Sequence, residues 1–298
     1  MTTAAAPAPV AVAAPAPAPV AVAAPALWRT AVAEGRPPAP VVLILGGFLT
    51  APPLYGPLVR RLQDRGAADV VVANVWTPDW LLASPRGLGP ILTRSGRALL
   101  AANARSDAVA QGAPVLVIGH SAGGISARIM TSPVPFAGRP QRAAGRIGAI
   151  VTLGTPHISA LDPNPAMRSG TEAAAFANRE VPGRACAPQT GYLSVASTVA
   201  WGRRHGTPGE RRAWALYRML LGPDTPDELP GDGLVPLAGA LLPDAPSLVY
   251  PDAWHGQFPG KEWFGSERFV EDWWPVAVAT WQTALLARVA EGAAQPHL

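Results

Sequence analysis

The sequence carries one serine in a setting that could make it a nucleophile. An apolar run leads into a glycine-flanked turn in Val115-Leu-Val-Ile-Gly119-His120-Ser121-Ala122-Gly123-Gly124. A serine hydroxyl attacks a carbonyl only when a base takes its proton, and a sharp strand-to-helix turn has no room for side chains beside the nucleophile. Such a turn would expose Ser121 Oγ at the start of a helix, whose dipole favours developing negative charge. The base must be one of five histidines. His297 lies at the terminus and His205 in an Arg-rich loop, while His120 occupies the turn itself and points away from the neighbouring serine. His157, in Leu153-Gly-Thr-Pro-His157, can line the site, but it precedes every good acid candidate and is read mainly as a hydrogen-bonded structural residue. His255, in Leu248-Val-Tyr-Pro-Asp-Ala-Trp-His255-Gly, follows the last strand, where a loop above a sheet can reach Ser121.

An orienting carboxylate is expected at Asp232, in the glycine-flanked loop Gly231-Asp-Gly-Leu-Val-Pro236. A turn aspartate capping the next helix is the structural alternative, and the two roles are compatible. Asp252 is too close to His255 in sequence to receive its Nδ1 proton. A tetrahedral intermediate needs two donors for its oxyanion. The Ala122 N–H is one. The other is expected from the loop after Val41-Val-Leu-Ile-Leu-Gly46-Gly47-Phe48, at Phe48 first and Gly47 second, unless the two glycines only make a turn. Gly47, His120 and Trp254 are assigned to substrate contact. Phe48, Trp76, Trp80, Trp254, Trp263 and Phe264 gather near the expected mouth and suggest an apolar acyl pocket, although core packing accounts for at least half of them equally well.

The elements that must position these residues alternate along the chain. Short apolar runs at Val41–Leu45, Val70–Trp76, Val115–Ile118, Ile150–Leu153, Tyr192–Ala196 and Leu248–Tyr250 read as strands buried on both faces. Helical segments are expected at Leu54–Asp64, Ile91–Val109, Gly123–Met130 and Glu210–Leu221, with a closing helix at Glu267–Glu291. Alternation of this kind predicts an α/β fold, with a mostly parallel sheet and helices on both faces. The Pro-, Gly- and Arg-rich stretch 161–229 breaks the rhythm and is expected as a cap insertion. The domain is expected over 26–298. Residues 1–25, in which APAPVAVAAP occurs twice in succession, read as an extended or disordered arm, because proline breaks every helix there.

The chain order Ser121, Asp232, His255 is that of α/β hydrolases. Gly46-Gly-Phe, Gly119-His-Ser-Ala-Gly, Leu153-Gly-Thr-Pro-His, Gly231-Asp-Gly-Leu-Val-Pro and Tyr250-Pro-Asp-Ala-Trp-His together resemble a lipase/esterase-type α/β hydrolase. The set is similar to the group around the GPI inositol-deacylases and the lipase-like proteins of plants and cyanobacteria. That resemblance covers roughly 41–274 and implies the α/β-hydrolase fold and hydrolysis of acyl lipids or related esters, without a cofactor. Gly46 stands where lipases often have the histidine of a His-Gly pair, a departure that bears on how the oxyanion loop is supported.

Composition narrows the remaining classes. Hydrophobic residues make up 49% and charged residues 15% of 298, which excludes a disordered polyelectrolyte. The formal net charge of +4 comes from scattered arginines with Lys261 as the single lysine, so no nucleic-acid partner is expected. The single Cys186 and the absence of Cys/His spacing argue against a structural metal. No membrane span is expected. The arm lacks a basic start, with Arg29 the first basic residue, so the expected compartment is cytoplasmic. The partner implied is a small-molecule or lipid ester. An acyltransferase on the same scaffold and a non-catalytic ligand-binding protein are the competing readings.

Overall fold

The computed structural model describes residues 27–294 apart from 84–86, 103, 159 and 161–167, so the Ala/Pro-rich arm and His297 lie outside the described residues. Helix α1 (Leu27–Ala33) precedes strand β1 (Val41–Leu45), and α2 (Gly56–Asp64) leads to β2 (Asp69–Val72). Helices α3 (Thr77–Ala83), α4 (Gly89–Ala102) and α5 (Asp107–Ala110) lead to β3 (Val115–His120). Helix α6 (Ala122–Met130) connects β3 to β4 (Ile147–Leu153), and α7 (Arg168–Glu180) comes before β5 (Gly191–Ser197). There follow β6 (Ala200–Arg203), α8 (Pro208–Leu221), β7 (Glu228–Gly231), α9 (Leu237–Ala240), β8 (Ser247–Tyr250) and α10 (Glu267–Ala294).

Six of these strands form one sheet in the order β2-β1-β3-β4-β5-β8, and every adjacent pair is parallel. Parallel neighbours require crossovers, so helices cover both faces and β1, β3 and β4 are buried along their whole length. Helices α4, α6 and α7 stack together, while α10 packs on β4 and β5 with α1 and α2 beside it. This is an α/β fold with a parallel sheet and helices on both faces, as the alternation of elements predicts. The order reverses around β1, and the loops leaving the carboxyl ends of β1, β3, β4 and β8 open on the same edge.

Three differences from the sequence reading have local causes. The helix expected over 91–109 is interrupted, because Ser106 Oγ accepts the Val109 N–H at 3.2 Å and so starts α5 as a separate turn. The strand expected over 70–76 stops at Val72, and Asp79 Oδ2 accepts the Trp76 N–H to start α3. The 161–229 stretch is not a single insertion, since β5 in its middle is an internal sheet strand between β4 and β8. What stands above the sheet edge is α7 on one side of β5 and the antiparallel β6–β7 pair with α8 on the other. Helix α8 starts at Pro208 behind a reciprocal Thr207–Glu210 cap.

Candidate active site

Ser121 sits between β3 and α6 with φ 53° and ψ −126°, a conformation that costs an L-residue roughly 1–3 kcal/mol. The surroundings hold it there. Its N–H donates to Leu153 O at 2.9 Å, and its carbonyl accepts the Gly124 N–H at 3.0 Å. A Cβ on Gly119 would lie 2.4 Å from Gly124 Cα, and one on Gly123 would lie 2.0 Å from Leu45 O. The two outer glycines of the motif are therefore clearance, without which β3, α6 and the end of β1 could not converge on the serine.

Asp232 and His255 meet each other. His255 Nδ1 lies 2.7 Å from Asp232 Oδ2, and the His255 N–H donates to Asp232 O at 3.0 Å. The other carboxylate oxygen accepts the N–H groups of Leu234 at 3.0 Å and Val235 at 2.7 Å. The turn reading and the orienting reading of Asp232 thus both describe the same side chain. With Oδ2 able only to accept, Nδ1 carries the ring proton and Nε2 is left as the acceptor. Tyr217 of α8 anchors the loop, accepting the Gly233 N–H at 3.0 Å and donating to Ala200 O at 2.9 Å. Gly154, at φ +56°, leaves the space the pair occupies, for a Cβ there would come within 2.6 Å of Asp232 Oδ2 and 3.0 Å of His255 Nδ1. Asp252 is exposed and paired with Arg268 at 2.5 Å.

A cavity of about 240 Å³ opens at Ser121 and Ala122. Its walls are apolar side chains, among them Phe48, Trp80, Ile125, Leu216 and Leu220, with Ser169, Gly170 and Thr171 of α7 on one side. Phe48 meets Trp80 edge to face at 5.8 Å. Ala122 is the first residue of α6, so helix geometry leaves its N–H without an intrahelical acceptor. The Gly47 N–H donates to Tyr55 Oη at 2.9 Å and is thereby committed within the loop. Gly46 lacks a side chain because Thr50 and Tyr55 fill the space, with Thr50 Oγ1 only 2.8 Å from where a Cβ would stand.

Two of the assigned contact residues are elsewhere. His120 is buried with both ring nitrogens engaged, Nδ1 2.8 Å from Tyr55 Oη and Nε2 2.9 Å from His255 O, so it faces away from the cavity. Trp254 is not a cavity-lining residue: it lies over Gly233, with the Lys261 ammonium 4.4 Å from its ring centre. Gly47 packs against Ser121 Cβ from the loop side, where a Cβ would approach to 2.9 Å. Of the six aromatic residues, Phe48 and Trp80 line the cavity, Trp76 is exposed, and Trp263 and Phe264 pack behind the histidines. His157 is held away from Ser121 between Thr152 Oγ1 at 3.2 Å and the guanidinium of Arg128 at 3.4 Å. Arg128 itself is buried and binds the Ala177 and Val181 carbonyls at the end of α7, tying that helix to α6. Burial, and then the charge of Arg128, push His157 well below its ordinary pKa. His205 is exposed.

No protein-family model and no curated protein sequence matches the chain. Among solved structures it is similar to Est1E from Butyrivibrio proteoclasticus, at 14% identity and TM-score 0.41 over 86% of this chain and 91% of that one. It is similar to a Paleococcus ferrophilus monoacylglycerol lipase at 12% identity and TM-score 0.41, over 83% and 96%. Its match to tomato methylketone synthase I complexed with 2-tridecanone has 15% identity and TM-score 0.30, over 46% of this chain and about half (47%) of that one.

Proposed function

We propose that the chain is a serine hydrolase that cleaves carboxylic esters through an acyl-enzyme on Ser121. The observations that carry this reading are the buried Asp232–His255 pair at 2.7 Å and a conformationally strained serine that lines an apolar cavity. In this reading His255 Nε2 takes the Ser121 proton as Oγ bonds to the ester carbonyl carbon. The oxyanion is held by the N–H groups of Ala122 and Phe48. The His255 proton then passes to the departing alcohol oxygen as the C–O bond breaks, and water repeats the sequence to release the acid. Asp232 keeps the ring in the tautomer this requires and stabilises the imidazolium that forms.

The apolar walls suit an acyl chain. At about 240 Å³ the cavity falls below the roughly 300–1,000 Å³ usual for drug-sized ligands, which favours short to medium chains over long ones. The narrower sequence resemblance to GPI inositol-deacylase-like lipases would instead make acyl lipids the substrates. A panel of p-nitrophenyl esters of graded length decides between them. Wild type should be labelled by a fluorophosphonate and turn over the shorter esters best. Ser121→Ala should abolish labelling and lower turnover by about 10⁴-fold or more. An unlabelled wild type, or a folded Ser121→Ala that keeps most of its turnover, would overturn the reading.

A further inference from the structure

We propose that Tyr55 and His120 are positioning residues that lock the oxyanion loop to the His255 loop through one continuous hydrogen-bonded chain. This rests on the hydrolase reading and adds to it a second polar system, separate from Ser121, Asp232 and His255.

The chain can be followed atom by atom. His120 Nε2 faces the carbonyl of His255 at 2.9 Å, and a carbonyl can only accept, so Nε2 carries the ring proton. Nδ1 then has a lone pair to fill, and Tyr55 Oη at 2.8 Å is its donor. The phenol has one proton. Thr50 Oγ1, at 3.2 Å, is the more distant claimant, and it commits its own proton to Gly47 O at 2.6 Å. Tyr55 Oη in turn accepts the Gly47 N–H at 2.9 Å. The peptide on either side of Gly47 is thus gripped at its N–H by Tyr55 and at its C=O by Thr50, and the next N–H in the chain is that of Phe48.

Each member stays in the protonation state the chain needs. Burial pushes the Tyr55 phenol up to about 12, so it remains a donor. Burial, and then the neighbouring His255, take His120 down to about 3, so it remains neutral. Aromatic edges close in on it: the His120 ring lies 5.2 Å from Trp263 and 5.9 Å from Tyr55. Tyr55 sits at the end of a Pro-Pro-Leu-Tyr 3₁₀ turn that fixes its backbone, and its ring takes up the volume left by Gly46. The grip that a histidine at position 46 would exert on the loop from within is here exerted from across the site. A donor for the oxyanion and the carbonyl of the base residue are consequently set by the same three side-chain atoms.

A loop freed from this grip would misplace the Phe48 N–H, and an error of about 1 Å in such a donor costs on the order of 10²-fold in rate. Tyr55→Phe keeps the ring and removes only the hydroxyl. With a p-nitrophenyl ester it should lower kcat by on the order of 10²-fold while KM stays within about threefold, and fluorophosphonate labelling should slow in parallel. His120→Gln can still reach the His255 carbonyl but loses the Tyr55 side, and His120→Asn does the reverse. Tyr55→Phe added to His120→Gln should cost less than about threefold beyond the worse single change, because both break one connection.

A folded Tyr55→Phe whose kcat falls by less than about tenfold, or whose loss lies in KM alone, overturns the proposal. If that variant does not fold, the two His120 variants decide: native kcat in either one, at a native melting temperature, overturns it. Failure of the hydrolase reading is seen separately, as a wild type that the fluorophosphonate does not label. In that event the positioning role falls with it, whereas a labelled wild type beside an unaffected Tyr55→Phe removes this proposal alone.

Discussion

Asp232→Asn isolates the tautomer from the fold. The carboxylate divides its work between two oxygens, Oδ1 receiving the Leu234 and Val235 N–H groups and Oδ2 facing His255 Nδ1. An asparagine must put its amide oxygen at the Oδ1 position, because two donors converge there. Its NH₂ then faces Nδ1, which can only accept from it, and the ring proton moves to Nε2. That is the nitrogen which, in the proposed mechanism, takes the Ser121 proton. The expected loss in kcat is on the order of 10⁴-fold, equivalent to about 5 kcal/mol of transition-state stabilisation. The cost in stability should be small, about 1–2 kcal/mol, since one charge-assisted hydrogen bond becomes a neutral one and both loop N–H groups stay satisfied. Initial rates with a p-nitrophenyl ester, fluorophosphonate labelling kinetics and urea unfolding measure the three quantities. A folded variant within about tenfold of wild-type kcat would refute the argument, as would equal activity loss and unfolding, which would make Asp232 a turn residue only.

Gly154→Ala would place a methyl 2.6 Å from Asp232 Oδ2 at a residue with φ +56°, so kcat should fall by at least about 10²-fold; near-native kcat in a folded variant would mean the pair tolerates displacement. Ser121→Gly removes the nucleophile and the strain at φ 53° together, so the inactive protein should gain about 1 kcal/mol in urea unfolding, and an unchanged or lower stability would mean the elbow is relaxed. His120 and His157 are both held below their ordinary value of 6.5, His120 at about 3, so the unfolded chain takes up protons below pH 6.5 that the folded chain refuses. Their contribution is complete above pH 6.5 and is lost progressively as the pH falls below it, toward about 3 in the case of His120. Unfolding free energies at pH 7.5, 5.5 and 4.5 should show this, with a shallower acid limb in His157→Gln, and an identical limb in that variant would assign the loss to other groups.

What could be read from the sequence was what is local in it. The elbow is specified by glycines within three residues of Ser121, and the all-parallel sheet follows from buried runs alternating with helices. Asp232 and His255 were reachable through chain order and loop position. Direction was not. His120 and Trp254 adjoin Ser121 and His255, yet their side chains leave on the other side, His120 toward Tyr55 and Trp254 over Gly233. Adjacency in sequence fixes a backbone position and says little about which face a side chain takes at an irregular turn. Tyr55 carries no such signal, because its partner is 65 residues away and no spacing rule connects a 3₁₀ turn to a distant histidine. The short β6–β7 pair is hidden for a different reason: four-residue strands interrupted by glycine and proline carry too little apolar alternation to show.

Two histidines with ring centres 5.1 Å apart pose an electrostatic problem that burial resolves. In the proposed mechanism His255 becomes an imidazolium as Ser121 attacks. Were His120 charged at that moment, the repulsion at an effective dielectric of about 20 would be roughly 3 kcal/mol, or some two orders of magnitude in rate. Confinement among Tyr55, Trp263 and the His255 loop keeps His120 neutral, and its hydrogen bond to the His255 carbonyl binds the base residue through its backbone without opposing its charge. Asp232 acts on the ring of the same residue through a full negative charge. His255 is thereby fixed twice, by an anion where charge will develop and by a neutral donor where it will not. Under the proposed mechanism, a His120 that stays neutral at this distance leaves the charge on His255 unopposed.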